Sequence, residues 1–349
     1  FKPILDGVQS SRFYQVLGKF QRPGEEQFTD SWNRFFNTAK MLYDNHMNTD
    51  DACNTMCDIM MTRDEKMRRM VKKHFTPEDY FRVRNHMIGT GMIGGKACGM
   101  LLSRAIVRNL APDIEEVLEP HDSFFIGSDV YYTYIVDNGF WDIRIRQREE
   151  EEYFSLAEEF AKRLKGGVFS EEMKNQFLHI LEYYGQDPFI VRSSSILEDG
   201  FGNAFAGKYE SVFCANRGTL EERLLEFENA IKTVYASSMS LSALDYRKRR
   251  GLDKRDEQMA LLVQRVSGSY YGSYYMPCAA GVGYSYSPYK FLEQIDPGAG
   301  MLRLVMGLGT SAVDRTKGSY PRLVSLDMPQ ATSCTTVAEK HQFSQRNIE

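Results

Sequence analysis

Long apolar runs are absent from this chain of 349 residues, and no stretch is long enough to cross a bilayer as a helix. An excess of charge of one sign is absent too. Lys and Arg number 43 against 47 Asp and Glu, a net charge of −4. No basic face dominates, which argues against a nucleic-acid binder held by phosphate neutralisation. Cysteine is sparse. Six are scattered, at Cys53, Cys57, Cys98, Cys214, Cys278 and Cys334, without the framework of a small disulfide-stapled secreted domain. Free thiols and a cytoplasmic location are expected. Cys53 and Cys57 lie one helical turn apart with His46 near, but a zinc site needs more ligands at tighter spacing. No secretory signal is visible. The chain starts at Phe1 and ends in Gln345-Arg-Asn-Ile-Glu349, and a fragment of a longer protein is expected. What is present, 42% hydrophobic and 26% charged residues, suits a soluble globular protein of two or three domains.

Residues 1–88 read as helical. Trp32, Phe35, Phe36, Ala39 and Leu42-Tyr43 recur at helical spacing, and Met56, Ile59, Met60, Met67 and Met70 repeat the pattern. That methionine stripe reads as helix core, with a sticky partner surface as the alternative. Thr76-Pro77-Glu78-Asp79 marks a helix start, with Thr76 as N-cap. A second region opens at Ile88 and carries Gly94-Gly95-Lys96 just before a helix through Leu102. It is not a Walker loop, because the spacing is wrong and no Ser or Thr follows the lysine. A helix-packing turn and an anion site at a helix N-terminus both fit it. Further along, Phe124–Gly127 reads as a strand. The stretch from Asp129 to Gly139 reads as a helix or irregular insert, and Glu149–Glu152 as a solvated helix face. Ser170 and Thr219 each cap a helix, the second reaching about Tyr235. A further helix carries Ser242 to Arg250 up to Gly251. From Gln258 onward the alternation predicts strands at 259–266, 280–288 and 301–306.

The densest signal lies at 189–213: Phe189-Ile-Val-Arg192-Ser-Ser-Ser195-Ile-Leu-Glu198-Asp199-Gly-Phe-Gly202-Asn-Ala-Phe205-Ala-Gly207-Lys208-Tyr-Glu-Ser211-Val-Phe213. Strand, polar corner, glycine-rich loop and strand follow one another. Arginine can grip phosphate oxygens bidentately. Hydroxyls and loop N–H groups add donors, and glycines admit a bulky anion close to backbone. By composition alone, a hairpin with an ordinary polar turn fits as well.

Taken together, these motifs resemble the nucleotide-binding domain of the pyruvate phosphate dikinase and phosphoenolpyruvate synthase family. Val191-Arg192-Ser193-Ser194, Glu198-Asp199 and Phe205-Ala206-Gly207 stand in the family's order, downstream of Gly94-Gly95-Lys96. Further matches are Tyr246-Arg247 before Gly251, Val263-Gln264, Gly281-Val282 with Tyr284 and Pro288, and Gly307-Leu308-Gly309. The resemblance spans roughly Gly89 to Leu326 and leaves 1–88 uncovered. It implies an α/β (α+β) fold: a two-lobed ATP-grasp-like module preceded by a helical extension. The expected division is 1–88 for the extension, 89–255 for the first lobe and 256–349 for the adenine-side lobe, truncated at its C-terminus. It implies that ATP binds between the lobes. Lys96 and Arg192 would neutralise phosphate charge as the catalytic pair. Ser194, Asp199, Ala206, Gly207 and Ser211 would line the phosphates, and Gln264 and Val266 would hold the base. No protein metal ligand is expected within the chain, although Mg2+ would accompany ATP.

The pattern departs in two places. The family's Glu after Gly-Leu-Gly is Thr310 here, and its magnesium carboxylates and Gln-x-Arg element have no equivalent before Glu349. His341 lacks the surroundings of the family's phosphohistidine and reads as a surface helix residue. The implied function is the ATP-binding module of a dikinase-type phosphotransferase. Phosphoryl would pass from ATP to a histidine on a downstream domain and then to pyruvate or a related acceptor, and the fragment alone would be inactive. The alternatives are a related kinase with a glucan or antibiotic acceptor, or a non-catalytic nucleotide-binding regulatory module. Downstream phosphohistidine and acceptor domains are the expected partners, with no nucleic acid and no membrane.

Overall fold

The computed structural model describes residues 30–198, 207–313, 320–332, 334 and 336–345. The chain divides into two compact units, one ending at Arg265 and the other starting at Val266. Among the described residues the first unit opens with four helices: α1 (Ser31–Asp44), α2 (Asp50–Met56, prolonged by a π-type turn over Cys57–Met61), α3 (Glu65–His74) and α4 (Pro77–Asn85). Thr76 caps α4 in a reciprocal capping box with Asp79, and Pro77 takes the first turn. The aromatic and methionine spacings put Trp32, Phe35, Phe36, Met56 and Met60 inside. They share a core with Met87, Ile93, Phe125 and Leu262. Residues 31–85 thus form one wall of the first unit, with Met56 and Met60 of the stripe in its core and Met67 and Met70 partly buried against it.

β1 (Met87–Ile88) leads to α5 (Gly95–Leu110), the short α6 (Pro112–Glu115) and β2 (Ser123–Ile126). Helices α7 (Ser128–Asp137), α8 (Trp141–Arg146), α9 (Ala157–Gly166) and α10 (Glu171–Tyr184) follow. Then come β3 (Phe189–Ser195), β4 (Ser211–Cys214), α11 (Leu220–Ser237), α12 (Leu241–Arg249) and β5 (Met259–Arg265). Ser170 and Thr219 cap α10 and α11. The five strands form one sheet in the order β1-β2-β5-β3-β4. The β1–β2 pair is parallel and the other pairings are antiparallel.

The expected boundary at 255/256 is displaced. β5, expected to open the second lobe, is the central strand of the first unit's sheet. The reason is in its side chains: Met259 through Val263 are all buried, as a strand covered on both faces requires. One face packs Val191, Leu261 and Val263 against α7, α10 and α11, and the other packs Leu262 under α5 and the N-terminal helices. A second correction concerns Glu149–Glu152, which lie in turns between α8 and α9, not on a helix face. Like charges three and four apart repel along a helix, and Glu152 ion-pairs back to Arg146 instead.

The second unit holds a hairpin, β6 (Ser269–Tyr271) with β7 (Tyr274–Met276), turned at Gly272 with φ +66°. A separate antiparallel sheet of β8 (Ala280–Tyr284), β9 (Met301–Val305) and β10 (Arg322–Ser325) runs in the order β10-β9-β8. Thr310 opens the short α13 (Thr310–Val313), and His341 lies exposed on α14 (Val337–Gln342). The fold is a mixed α+β one.

Candidate functional site

The N-terminus of α5 meets the end of β3 at very short range, and two glycines make that possible. Gly94 caps the helix with φ +82°. A Cβ at Gly94 would stand 1.5 Å from the Ser194 carbonyl oxygen, and one at Gly95 would stand 2.0 Å from the Glu198 carbonyl oxygen. Only residues without a side chain allow this approach. Ser194 then pins the helix. Its hydroxyl accepts from the Ala97 N–H at 3.0 Å and donates to the Ile93 carbonyl at 2.8 Å. Ser194, a candidate phosphate ligand by sequence, is fully buried and braces this corner.

Lys96 follows the glycines in the first turn of α5. Its Nζ donates to Ser193 Oγ at 3.2 Å and to Glu198 Oε1 at 3.3 Å. The Ser193 hydroxyl donates to Glu198 Oε1 at 2.9 Å, and the Ser195 N–H donates to Oε2 at 2.8 Å. The lysine side chain is 21% exposed and the Glu198 side chain 3%. Burial pushes the Glu198 carboxyl above its ordinary value, while the Lys96 charge and the Ser195 and Ser193 hydrogen bonds pull it back.

A second carboxylate seals the corner from behind. The Ser195 and Tyr209 hydroxyls both donate to Glu257. Arg247 Nη1 lies 3.3 Å from Glu257 Oε2, and its Nη2 donates to the Ser238 carbonyl at 2.8 Å. Burial alone would lower the Arg247 pKa, but the Glu257 charge and the Tyr209, Tyr153 and Tyr131 phenols together outweigh it and the net shift is upward. Burial, then the Glu257 charge, drives the Tyr209 phenol far above its ordinary range.

The remaining sequence candidates divide. Arg192 sits in β3 opposite Leu262 of β5 and Ser211 of β4. Its Nη1 donates to Gln264 Oε1 at 3.3 Å, and the Gln264 amide donates on to Ser123 Oγ at 3.1 Å. The structure therefore brings Arg192 and Gln264 together. Ser211 is exposed at the start of β4, and Gly207 is exposed with φ +66°. Val266 begins the second unit, where its carbonyl accepts from the Tyr275 hydroxyl at 2.9 Å. Asp199 and Ala206 lie outside the described residues. Sequence reasoning left out Ser193 and Glu198 as the partners of Lys96, although the Ser-Ser-Ser run with a glutamate three residues on was visible. It also left out the roles of Glu257, Tyr209 and Arg247, which come from distant points of the chain.

A lysine ammonium, a hydroxyl and the positive end of a 16-residue helix converge on one corner, which suits a multiply charged anion. Among the described residues no group of three or more His, Cys, Asp or Glu is arranged to hold a metal ion. Among known families, the model described as the pyruvate phosphate dikinase AMP/ATP-binding domain matches residues 90–347. No curated protein matches the chain.

Proposed function

The chain belongs to the pyruvate phosphate dikinase AMP/ATP-binding domain family, and from that premise we propose that the corner between α5 and β3 receives the phosphates of ATP. The observation that carries this reading is the Gly94-Gly95-Lys96 turn, pressed so close to β3 that Lys96 Nζ reaches Ser193 and Glu198. On this reading Lys96 exchanges its Glu198 contact for a phosphate oxygen. Ser193 supplies a second donor, and Arg192 supplies a guanidinium once it releases Gln264. Gln264 and Val266 hold the base, with Gly207 and Ser211 near the phosphates.

The fold of the full module is then ATP-grasp-like. The reaction is phosphoryl transfer to a histidine on a further domain and on to pyruvate or a related acceptor. The chain's own contribution is positioning and charge stabilisation. Magnesium would accompany the nucleotide and screen its phosphates. The described residues offer it no cluster of ligands, so the reading assigns it none of them.

Calorimetric titration with ATP, with and without magnesium, tests the assignment on the wild type, Lys96→Ala and Arg192→Ala. Each variant should bind at least about tenfold more weakly, about 1.4 kcal/mol. Unchanged affinity in both would remove the site from this corner.

A further inference from the structure

A cavity of about 510 Å³ opens in the first unit beside the second half of α5. Leu101, Arg104, Ala105 and Arg108 of α5 form one wall. Arg104 lies eight residues beyond Lys96, about 12 Å along the helix at 1.5 Å per residue. None of the groups that contact Lys96 lines it. The opposite wall is α4 with His86 just after it, and the loop 120–123 and Arg265 at the end of β5 complete the enclosure.

The charges lining it do not balance. Arg108 is committed to Asp79 through two hydrogen bonds of 2.8 and 2.6 Å, and Arg265 to Asp122 at 3.0 Å. Arg104 donates only to a neutral acceptor, the Glu119 carbonyl, at 3.0 Å. The Arg82 guanidinium has no hydrogen-bond or ion-pair partner among the described residues. Of the lining carboxylates only Glu115 then remains to face them among the described residues. His121 reports the resulting field. Burial first, then the Arg104 and Arg82 charges and His86, hold its imidazole down at about 4, against the opposing pull of Asp122. Val83, Leu101 and Phe125 supply an apolar floor, and Ser123 and Tyr183 add two hydroxyls, the second donating to Asp122 at 2.9 Å. A cavity of this size with an apolar floor and a few convergent polar groups has the character of a small-molecule site.

We propose that this cavity is a second anion site, taking a small phosphorylated metabolite whose phosphate lies between Arg82, Arg104 and His121 and whose body rests on the apolar floor. Guanidinium forks from two helices suit a phosphate's several oxygens. Lys96, Ser193 and Glu198 do not line the cavity, but Ser123 does, and its Oγ accepts from Gln264, the proposed base contact.

Inorganic phosphate is the probe for the test. The His121 ring resonances, assigned through His121→Gln, are followed in the full chain at neutral pH as phosphate is added, alongside calorimetry. A saturable shift is expected. It should weaken at least tenfold in Arg82→Gln, an exposed position whose change leaves the fold intact, and in Arg104→Gln. It should persist in Lys96→Ala, so that failure of the ATP assignment leaves this result standing. Three outcomes would overturn the proposal: no His121 response to phosphate, an equal response to acetate, or loss of the response in Lys96→Ala.

Discussion

Two carboxylates stand at the end of β3 with nearly the same partners and opposite duties. Glu198 meets a lysine and a serine hydroxyl. Glu257 meets an arginine, a serine hydroxyl and a tyrosine hydroxyl. The difference lies in the cation. Lys96 is 21% exposed on a flexible stem, whereas the Arg247 side chain is 5% exposed and bonded on to Ser238. A partly wet point charge can leave its carboxylate for an incoming phosphate at modest cost. A sealed guanidinium cannot leave without stranding two buried charges. On the proposed reading, similar chemistry gives an exchangeable contact in one place and a structural clamp in the other.

The largest effect should come from breaking the clamp. Glu257→Ala leaves Arg247 buried and uncompensated, and should cost about 3–5 kcal/mol of stability in urea unfolding. If Glu257→Ala and Lys96→Met lose the same amount, the distinction between the two pairs collapses. Next in size is Gly94→Ala. Its Cβ would collide with the Ser194 carbonyl oxygen at 1.5 Å, at a φ of +82°. A loss of about 1–3 kcal/mol is expected from overpacking, together with weaker ATP binding, since the helix start must retreat from β3. Normal ATP affinity in a folded Gly94→Ala protein would show that the close approach is not what positions Lys96. Smaller again for stability is Lys96→Met, with an expected loss of about 1 kcal/mol or less. Its effect on ATP affinity should exceed its effect on the unfolding midpoint, the reverse of Glu257→Ala.

The clamp and the exchangeable pair were not equally legible in the sequence. Gly94-Gly95-Lys96 and the run from Arg192 to Ser195 are local signals, and the structure joins them as Ala97 to Ser194 and Lys96 to Ser193. Helix starts at Thr76, Ser170 and Thr219 were legible because capping is short-range chemistry. The clamp was not, since Ser195, Tyr209, Arg247 and Glu257 meet only after α12 and β5 fold back. Nor was the membership of β5. Its apolar run identifies a buried strand, but the partner sheet of a strand is set by long-range pairing. Ser194 shows the limit from the other side. Its motif suggested a ligand contact, while its burial and its two backbone partners make it a brace.

The finest test of the comparison is the pH dependence of stability. Glu198 has a folded-state pKa raised above 4.5 by burial, so the native state binds its proton more tightly than the unfolded chain does. Its contribution is then fully present below the unfolded value and lost as pH rises from 4.5 through the folded value. Urea midpoints of the wild type and Glu198→Gln, measured from about pH 4 to about pH 8, should therefore diverge, with the wild type losing ground as pH rises. Lys96→Met removes the charge that pulls Glu198 down, so the same loss should extend closer to neutral pH. A wild type that gains on Glu198→Gln across that range would mean that the lysine outweighs burial. Lys96 and Glu198 would then be a second clamp, and the exchange with phosphate would lose its physical basis.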